Sequence, residues 1–273
     1  MLADLHTHTT ASDGVLSPEQ LITSAKAAGV TLLSITDHDT ISAYKSLPAY
    51  TDKDMQLVYG IELSSIWHKT GIHVVGLNID PDCPALQSAI ETQRNARRER
   101  AKTIADKLSK LGFTDTLEGA IKAANGTALG RPHFARFLVD SGQVKTISIA
   151  FKKFLGQGKP GDVRENWPAL ETVIAWISEA GGTAVLAHPN KYKLGNLKLQ
   201  ELTKDFCSAG GHGLEVISGK QEDALTSRLG TLAQQHGLLA SCGSDFHQPG
   251  QSWAELGSVA ALPSGCTPVW ENW

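Results

Sequence analysis

The sequence lacks most features that mark secreted or membrane-embedded proteins. Its four cysteines form no Cys-x-x-Cys pair and show no disulfide-like spacing, which favours a reducing compartment. No apolar run approaches the length of a membrane span, and the N-terminal residues do not have the pattern of a signal peptide. The net charge of −3 does not mark a nucleic-acid binder, so an acidic ligand would need local positive charge. We therefore expect a cytoplasmic protein with no membrane contact and no obligatory protein partner.

The pattern of apolar residues predicts an α/β fold. With 273 residues, 41% of them hydrophobic, the chain suits one large barrel-like domain with an insertion. Helical patterns alternate with short apolar runs that predict strands at Leu2–Leu5, Leu32–Ile35, Leu57–Ile61, Val74–Ile79, Thr183–Ala187, Leu214–Ile217 and Leu238–Ala240. Helices are predicted from Pro18, capped by Ser17 and closed by Gly29, and over Trp167–Ala180 and Gln221–His236. This alternation indicates a mostly parallel sheet with helices outside it.

The middle of the chain has a different character. Ala89–Leu111 predicts one long, highly charged helix, and shorter helical patterns follow at Leu117–Ala124, Pro132–Ser141 and Ile147–Leu155. We therefore predict that residues 1–83 and 164–273 form the barrel and that residues 84–163 form a helical insertion that covers the active site.

Histidines and carboxylates cluster where predicted strands end. The clusters are His6-Thr7-His8, Asp37-His38 and Asp245-Phe246-His247, and Glu62 and His188 also follow apolar runs. In a parallel barrel these strand ends form one rim, and imidazole with carboxylate is a common ligand mixture for hydrolytic metal sites. His73 departs from this pattern because it precedes its apolar run, which a strand of opposite direction would explain.

Each residue alone has a simpler explanation. A single histidine is usually a hydrogen-bonded core or surface residue, Asp13 in Ala-Ser-Asp-Gly suits a turn, and Asp37-His38 could cap a helix. However, residues i and i+2 of a strand point the same way, so His6 and His8 could hold one ion. The joint occurrence of all the clusters favours a multinuclear metal centre.

The motifs together resemble the polymerase and histidinol phosphatase (PHP) family of metal-dependent phosphoesterases. The resemblance covers the whole chain and rests on Asp4-Leu5-His6-Thr7-His8-Thr9, Ser12-Asp13-Gly14, Ile35-Thr36-Asp37-His38-Asp39, Gly60-Ile61-Glu62, His73-Val74-Val75-Gly76, Ala187-His188-Pro189 and Gly243-Ser244-Asp245-Phe246-His247. It implies a distorted (β/α)7 TIM-like barrel.

The insertion resembles a narrower branch of that family, called TrpH-like. The matching segments are Arg97-Arg98-Glu99-Arg100, Lys107-Leu108, Gly130-Arg131-Pro132-His133, Ala150-Phe151 and Leu155-Gly156-Gln157-Gly158-Lys159-Pro160. This branch includes 3′,5′-nucleoside bisphosphate phosphatases and the ribonuclease RNase AM. The implied activity is removal of the 3′-phosphate from a nucleoside 3′,5′-bisphosphate, with 5′-to-3′ trimming of short 5′-phosphorylated RNA as a linked activity. The alternatives are a histidinol-phosphate phosphatase and a non-catalytic metal-binding module.

The resemblance also implies a set of metal ligands for two or three divalent ions. The first ion would be held by His6, His8, Glu62 and Asp245, the second by a bridging Glu62 with His73 and His188, and the third by Asp13, His38 and His247. Manganese is the expected metal, with zinc, iron and magnesium as alternatives. The nucleophile would be a metal-bound hydroxide at the position held by Glu62, His6, His8 and Asp245, since such ions lower the pKa of bound water towards about 7.

The sequence indicates the residues that contact the substrate less clearly than it indicates the metal ligands. Arg131, His133, Asp37 and Ser12 are the candidates, because the planar fork of arginine matches phosphate. From the sequence alone, Arg131 could also be a surface arginine that packs over a helix start. The basic run Arg94–Lys102 suits either a solvated helix face or a phosphate track. Several tryptophans, Trp253 among them, could stack on a base or simply pack.

Overall fold

Seven strands form one sheet in chain order. The computed structural model describes residues 1–47, 52–163, 166–271 and 273. The strands are Ala3–Asp4 (β1), Leu32–Ile35 (β2), Gln56–Trp67 (β3), Thr70–Leu77 (β4), Thr183–Leu186 (β5), Gly213–Ser218 (β6) and Leu239–Gly243 (β7). The sheet nearly closes on itself, because the Leu5 amide donates to the Cys242 carbonyl at 3.0 Å and Thr7 pairs with Phe246. The predicted seven-stranded α/β barrel is confirmed.

Closure requires a glycine where the first and last strands approach. A Cβ built on Gly243 would lie 2.3 Å from the Cβ of His6 and 2.6 Å from its backbone nitrogen. Any larger residue at the end of β7 would push β1 away, and with it the histidines that follow β1.

Nine α-helices in the described ranges surround or extend the barrel. They are Pro18–Ala27 (α1), Ser42–Ser46 (α2), Pro84–Ser109 (α3), Thr116–Ala124 (α4), Arg131–Asp140 (α5), Ile147–Ala150 (α6), Leu170–Glu179 (α7), Asn196–Ser208 (α8) and Asp223–Gln235 (α9), with short π and 3₁₀ turns at Phe151–Leu155 and Pro189–Tyr192. The predicted start of α1 is confirmed, since Ser17 and Gln20 form a reciprocal capping box and Pro18 is the first helical residue. Helix α8 was not predicted, although its buried Leu199, Leu202 and Phe206 have helical spacing.

Strand β4 runs opposite to both of its neighbours, whereas every other pairing in the sheet is parallel. Only His68 and Lys69 separate β3 from β4, and a connection this short can join only antiparallel strands. An early residue of β4 therefore lies at the rim where the parallel strands end, which explains why His73 precedes its apolar run.

The expectation that Glu62 follows a strand was wrong. Strand β3 continues to Trp67, because its second half pairs with β4 after its pairing with β2 ends at Tyr59. Within this hairpin Ser64 pairs with His73, and Glu62 lies two residues before Ser64. Alternation along a strand then places Glu62 and His73 on the same face.

The segment between β4 and α7 has its own apolar core. Ile104 and Leu108 of α3 pack with Phe134 and Leu138 of α5 and with Leu155, separately from the barrel core. Helix α3 also packs against α7 of the barrel, and the Gln93 side chain donates to the Ser64 carbonyl at 2.6 Å. The segment is thus a helical layer fastened to the barrel along one long helix.

The structure also bears on the membrane expectation. In the described ranges, no helix combines the length and apolar character that crossing a bilayer requires.

The core of this helical layer can be tested by deleting one aromatic ring. Phe134 is fully buried, so Phe134→Ala should lower the free energy of unfolding by about 3–5 kcal/mol, measured by urea denaturation. Ile121→Ala is the matched control, because Ile121 lies in the same layer but is 53% exposed. A loss in Phe134→Ala no greater than in the control would show that the layer has no packed core of its own.

Candidate metal centre

One buried carboxylate, that of Glu62, lies among five imidazole rings. The rings come from the residues after β1, from the loop after β2, from β4 and from the loop after β5. Their nitrogens lie close to the Glu62 oxygens: His38 Nδ1 at 2.8 Å, His73 Nδ1 at 2.8 Å, His188 Nε2 at 2.9 Å, His6 Nε2 at 3.3 Å and His8 Nε2 at 3.4 Å. Glu62 itself is fully buried.

Two further carboxylates complete the cluster. Asp13 lies 3.3 Å from His247, 3.8 Å from His38 and 3.9 Å from His8. Asp245 lies 3.2 Å from His8, 3.5 Å from His6 and 3.7 Å from His247, and Lys191 pairs with it. All nine residues that the sequence suggested as ligands therefore meet in one place, which we call the metal centre.

The backbone around two of these residues is strained. His188 has φ +25° and Asp245 has φ +55°, in the left-handed region that non-glycine residues rarely adopt. Such strain is kept where the surrounding structure fixes a side chain for function.

The nine residues fall into four potential ligand groups. Each group brings its candidate ligand atoms within 4.8 Å of one another: His8–Asp13–His38–His247, His6–Glu62–His188, His6–His8–Asp245 and His38–Glu62–His73. Because the groups share Glu62, His6, His8 and His38, the arrangement fits a multinuclear site and not several separate ones.

Unpaired polar atoms in this cluster fit bound cations. Among the described residues, buried nitrogens of His6, His8, His38 and His188 and one oxygen of Glu62 have no hydrogen-bond partner. His38 Nδ1 lies 2.8 Å from Glu62 Oε2, which is one of these atoms. Buried polar atoms that converge without a full set of partners suit a metal site, because leaving them unpaired would be costly.

The pKa values of the cluster follow from burial and from its own charges. Burial lowers the pKa of His8 to about 3 and that of His73 to about 4, which favours the neutral rings that metals bind. Burial also opposes charge on His6 and His38, but the nearby carboxylates, Glu215 and Glu62 first, raise the pKa of both. Burial opposes the charge of Glu62, but the histidines around it, His38 and His73 first, hold its pKa well below the usual value. Burial lowers the pKa of His247, but the carboxylates of Asp13 and Asp245 outweigh burial and raise this pKa to about 10. A positive charge beside these two carboxylates is therefore stabilised.

Two further carboxylates, neither of them predicted to be a site residue, hold metal-centre residues in place through hydrogen bonds. Glu215, on β6, accepts a hydrogen bond from His6 Nδ1 at 3.0 Å and another from the His188 amide. Asp4 accepts from the amides of Ser244 and Gly257 at 2.8 and 2.9 Å, and so fixes the loop that carries Asp245. A charged residue inside the apolar run Leu214–Ile217 was a signal that could have identified Glu215.

Three of the predicted substrate contacts lie inside the protein. The Asp37 carboxylate accepts from the amide and hydroxyl of Thr9 and from Ser12 Oγ at 2.5 Å, and this network braces the loop that carries Asp13. His133 is 5% exposed, and its Nδ1 accepts from the Gly130 amide at 3.0 Å. A direct role for Asp37, Ser12 and His133 in substrate binding stays a prediction.

A cavity of about 350 Å³ borders the metal centre beside His38 and His73. Three guanidinium groups line it, those of Arg97, Arg100 and Arg131, so we call it the arginine pocket. Arg97 is fixed by Asp39 at 2.5 Å, and Arg131 by the Leu155 carbonyl at 3.0 Å and by Asp162 at 3.2 Å. Arg131, whose contact with substrate stays a prediction, therefore lines a cavity beside the metal centre.

Helical periodicity divides the basic run of α3. Arg97 and Arg100 are 8% and 6% exposed and face inward, whereas Arg94 and Arg98 point to solvent. The guanidinium groups of Arg97 and Arg100 lie 5.4 and 5.1 Å from the ring centre of Trp167. Burial, together with the charges of Arg131 and Arg97, lowers the pKa of Arg100 to about 9, so an anion in this pocket would be stabilised.

The fold and the site together define a metal-dependent hydrolase: a nearly closed α/β barrel with a buried imidazole–carboxylate centre at its rim and a cationic pocket beside it. Comparison with known proteins identifies the family within this class of hydrolase.

Residues 4–81 match the PHP domain. The chain is 43% identical over its whole length to a 5′-3′ exoribonuclease, Rnm, from Salmonella typhimurium, covering 94% of that protein.

A second relative has a phosphatase name. Over 98% of the chain and 95% of the relative, identity is 40% to a 3′,5′-nucleoside bisphosphate phosphatase from Chromobacterium violaceum. A solved amidohydrolase structure from the same organism, with bound sulfate, superposes with a TM-score of 0.89 at 39% identity, covering 99% of this chain and 95% of that one. The chain belongs to the PHP family of metal-dependent phosphoesterases.

The support from Glu215 gives a prediction for metal affinity. Glu215→Gln should weaken metal binding about 10- to 100-fold. The neutral amide polarises His6 Nδ1–H less than the carboxylate does, so the imidazole becomes a less basic metal ligand. Competition with a chromogenic chelator measures this, with circular dichroism to confirm folding. Glu171→Gln, at an exposed position on α7, is the control. Unchanged affinity in Glu215→Gln would mean that Glu215 serves the barrel and not the metals.

Proposed function

We propose that the protein hydrolyses the 3′-phosphate of nucleoside 3′,5′-bisphosphates, such as adenosine 3′,5′-bisphosphate, and removes nucleotides from the 5′ end of short 5′-phosphorylated RNA. The observation that carries the proposal is the arginine pocket bordering the metal centre. A bisphosphate has one phosphate to be cleaved and a second to be anchored, and these two features offer a place for each. The names of two relatives, a bisphosphate phosphatase and an exoribonuclease, support the same pair of activities.

The centre would hold two or three divalent ions on the nine residues already described. Glu62 would bridge two ions with His6, His8, His73, His188 and Asp245 around them, and Asp13, His38 and His247 would hold the third. The mixture of imidazole and carboxylate, without thiolate, suits manganese, with zinc, iron and magnesium as alternatives. When bound, these ions would neutralise phosphate oxygens and activate the attacking water.

The protein's own residues would orient the substrate. Arg100 and Arg131 would hold the 5′-phosphate, which carries nearly two negative charges at neutral pH. The guanidinium of Arg97, fixed by Asp39, adds positive charge to the same pocket. Water would then attack the 3′-phosphorus, the bond from phosphorus to O3′ would break, and O3′ would take a proton to leave the 5′-monophosphate.

The enzymatic alternative, a histidinol-phosphate phosphatase, suits the site less well. Histidinol phosphate carries an ammonium group at the end away from its phosphate. Arg97, Arg100, Arg131 and Lys191 all line the arginine pocket, and a cationic group would be repelled there. A non-catalytic module would have no need of an anion pocket beside the metals. Because free nucleotides and RNA ends are formed in the cytoplasm, the proposal places the enzyme there.

The anchor role of Arg131 can be measured by comparing two substrates. Arg131→Ala should lower kcat/KM on the 3′,5′-bisphosphate by about ten- to a hundredfold, the worth of one desolvated charge-assisted pair. The loss should be far smaller on a nucleoside 3′-monophosphate, which lacks the anchored group. Arg98→Ala is the control, because Arg98 is exposed and lies outside the arginine pocket. Equal losses on both substrates would contradict the anchor role.

The site of water attack can be followed with an isotope. In ¹⁸O-labelled water, a single turnover of the 3′,5′-bisphosphate should place the label in the released phosphate, as mass spectrometry would show. The reason is that attack at phosphorus leaves the ribose oxygen unchanged. Label in the 3′-hydroxyl of the nucleotide product would indicate attack at carbon and would overturn this chemistry.

A further inference from the structure

A second cavity, of about 410 Å³, borders the metal centre on another side. The arginine pocket touches the centre beside His38 and His73, whereas this second cavity touches it beside Asp245 and His247. The two cavities share Asp13, Pro132 and Lys191. We call this second space the outer cavity. A phosphorus atom at the metal centre would therefore lie between two separate spaces.

The wall of the outer cavity carries exposed apolar side chains. Trp253 is 61% exposed, and Val15 and Ile147, which line the same cavity, are 41% and 44% exposed. Large apolar side chains so exposed are few in the described chain, and three of them meet at this one cavity. An exposed apolar cluster beside a catalytic centre marks a binding surface more than a folding requirement.

The backbone at Trp253 is held in place while the ring stays exposed. The Trp253 carbonyl accepts from the Lys220 amide at 2.8 Å, and the following amide, of Ala254, donates to the Gln251 carbonyl at 2.8 Å. A ring presented on a fixed backbone loses little entropy on stacking, and every nucleobase has a face to stack on it.

Polar groups around this wall suit a nucleotide. The cations Arg136, on an exposed position of α5, and Lys191 line the cavity together with the amides of Gln248 and Gln251. The acidic residues that line it, Asp13 and Asp245, belong to the metal centre. An aromatic platform with cations and amides is the chemistry that binds single-stranded nucleic acid without sequence preference.

We propose that the outer cavity binds the nucleotide that follows the scissile phosphate in an RNA chain, with Trp253 stacking on its base and Arg136 meeting the next phosphate. This inference rests on the proposed function and extends it to a second nucleotide subsite. The 3′-phosphorus of a nucleoside 3′,5′-bisphosphate carries no second nucleoside, so that substrate leaves the outer cavity empty. In RNA, the scissile phosphorus is bonded to the next nucleoside, and the outer cavity has room for that nucleoside.

The chemistry is the same for both substrates. Water attacks the phosphorus, the bond to O3′ of the first nucleotide breaks, and that oxygen takes a proton. The phosphoryl group stays on the second nucleotide as its new 5′-phosphate. The shortened RNA is then itself a 5′-phosphorylated substrate that can move into the arginine pocket.

The test compares Trp253→Ala with wild type on two substrates. On a 5′-phosphorylated RNA trinucleotide, kcat/KM should fall by about tenfold or more, the effect of losing one stacked base. On adenosine 3′,5′-bisphosphate it should change by less than about twofold. Trp253→Phe should restore most of the RNA activity, because a ring remains for stacking. Leu197→Ala, at an 83% exposed apolar residue that lines neither cavity, is the matched control.

A binding measurement makes the test independent of turnover. Fluorescence anisotropy with the manganese-loaded enzyme should show a Kd about tenfold higher for Trp253→Ala than for Leu197→Ala. The probe is a 5′-phosphorylated RNA hexanucleotide with a 3′ fluorophore, in which a methylene group replaces O3′ of the first nucleotide so that this linkage cannot be hydrolysed. Equal Kd values, or equal loss of activity on both substrates, would overturn the subsite. Failure of the wild-type enzyme to hydrolyse the bisphosphate, with the anisotropy difference intact, would reject the proposed function and leave the RNA-binding surface standing.

Discussion

The structure depends on one constraint: the carboxylate of Glu62 is buried among five histidines and needs a positive charge next to its oxygens. Holding three carboxylates and six imidazoles this close together, around the buried Glu62, would be strongly unfavourable without ions between them. The barrel provides the geometry, because β1, β2, β5 and β7 end at one rim and the reversed β4 brings His73 to the same place. Gly243 permits the closure that brings the two ends of this arrangement together.

Much of the centre was predictable because its residues lie next to one another in sequence or follow strands. His6 and His8 identify themselves by strand spacing, and the clusters around His38 and Asp245 by their position after apolar runs. Glu62 was found as a residue but placed wrongly, since the hairpin that extends β3 depends on pairing with β4. Glu215 and the inward turn of Arg97 and Arg100 depend on packing between distant segments, which local pattern does not encode.

The two cavities give the site a direction. In the proposed binding mode, the arginine pocket would recognise what lies on the 5′ side of the scissile bond, through fixed cations on the helical layer. The outer cavity would receive what lies on the 3′ side, through an exposed ring and polar side chains. The two cavities differ because they would bind different groups. An anchored phosphate needs fixed positive charge, whereas a base of any sequence needs a surface on which to stack. One centre can thus serve a bisphosphate and an RNA end.

The measurement that tests the central claim most directly is anomalous diffraction from manganese-loaded crystals, recorded near the manganese absorption edge. The account predicts at least two anomalous peaks about 3.5–4 Å apart, with one oxygen of Glu62 bonded to each ion or shared between them. A single peak, or peaks that leave the Glu62 carboxylate without a metal neighbour, would contradict the account, because the buried carboxylate would then be held by the histidines alone.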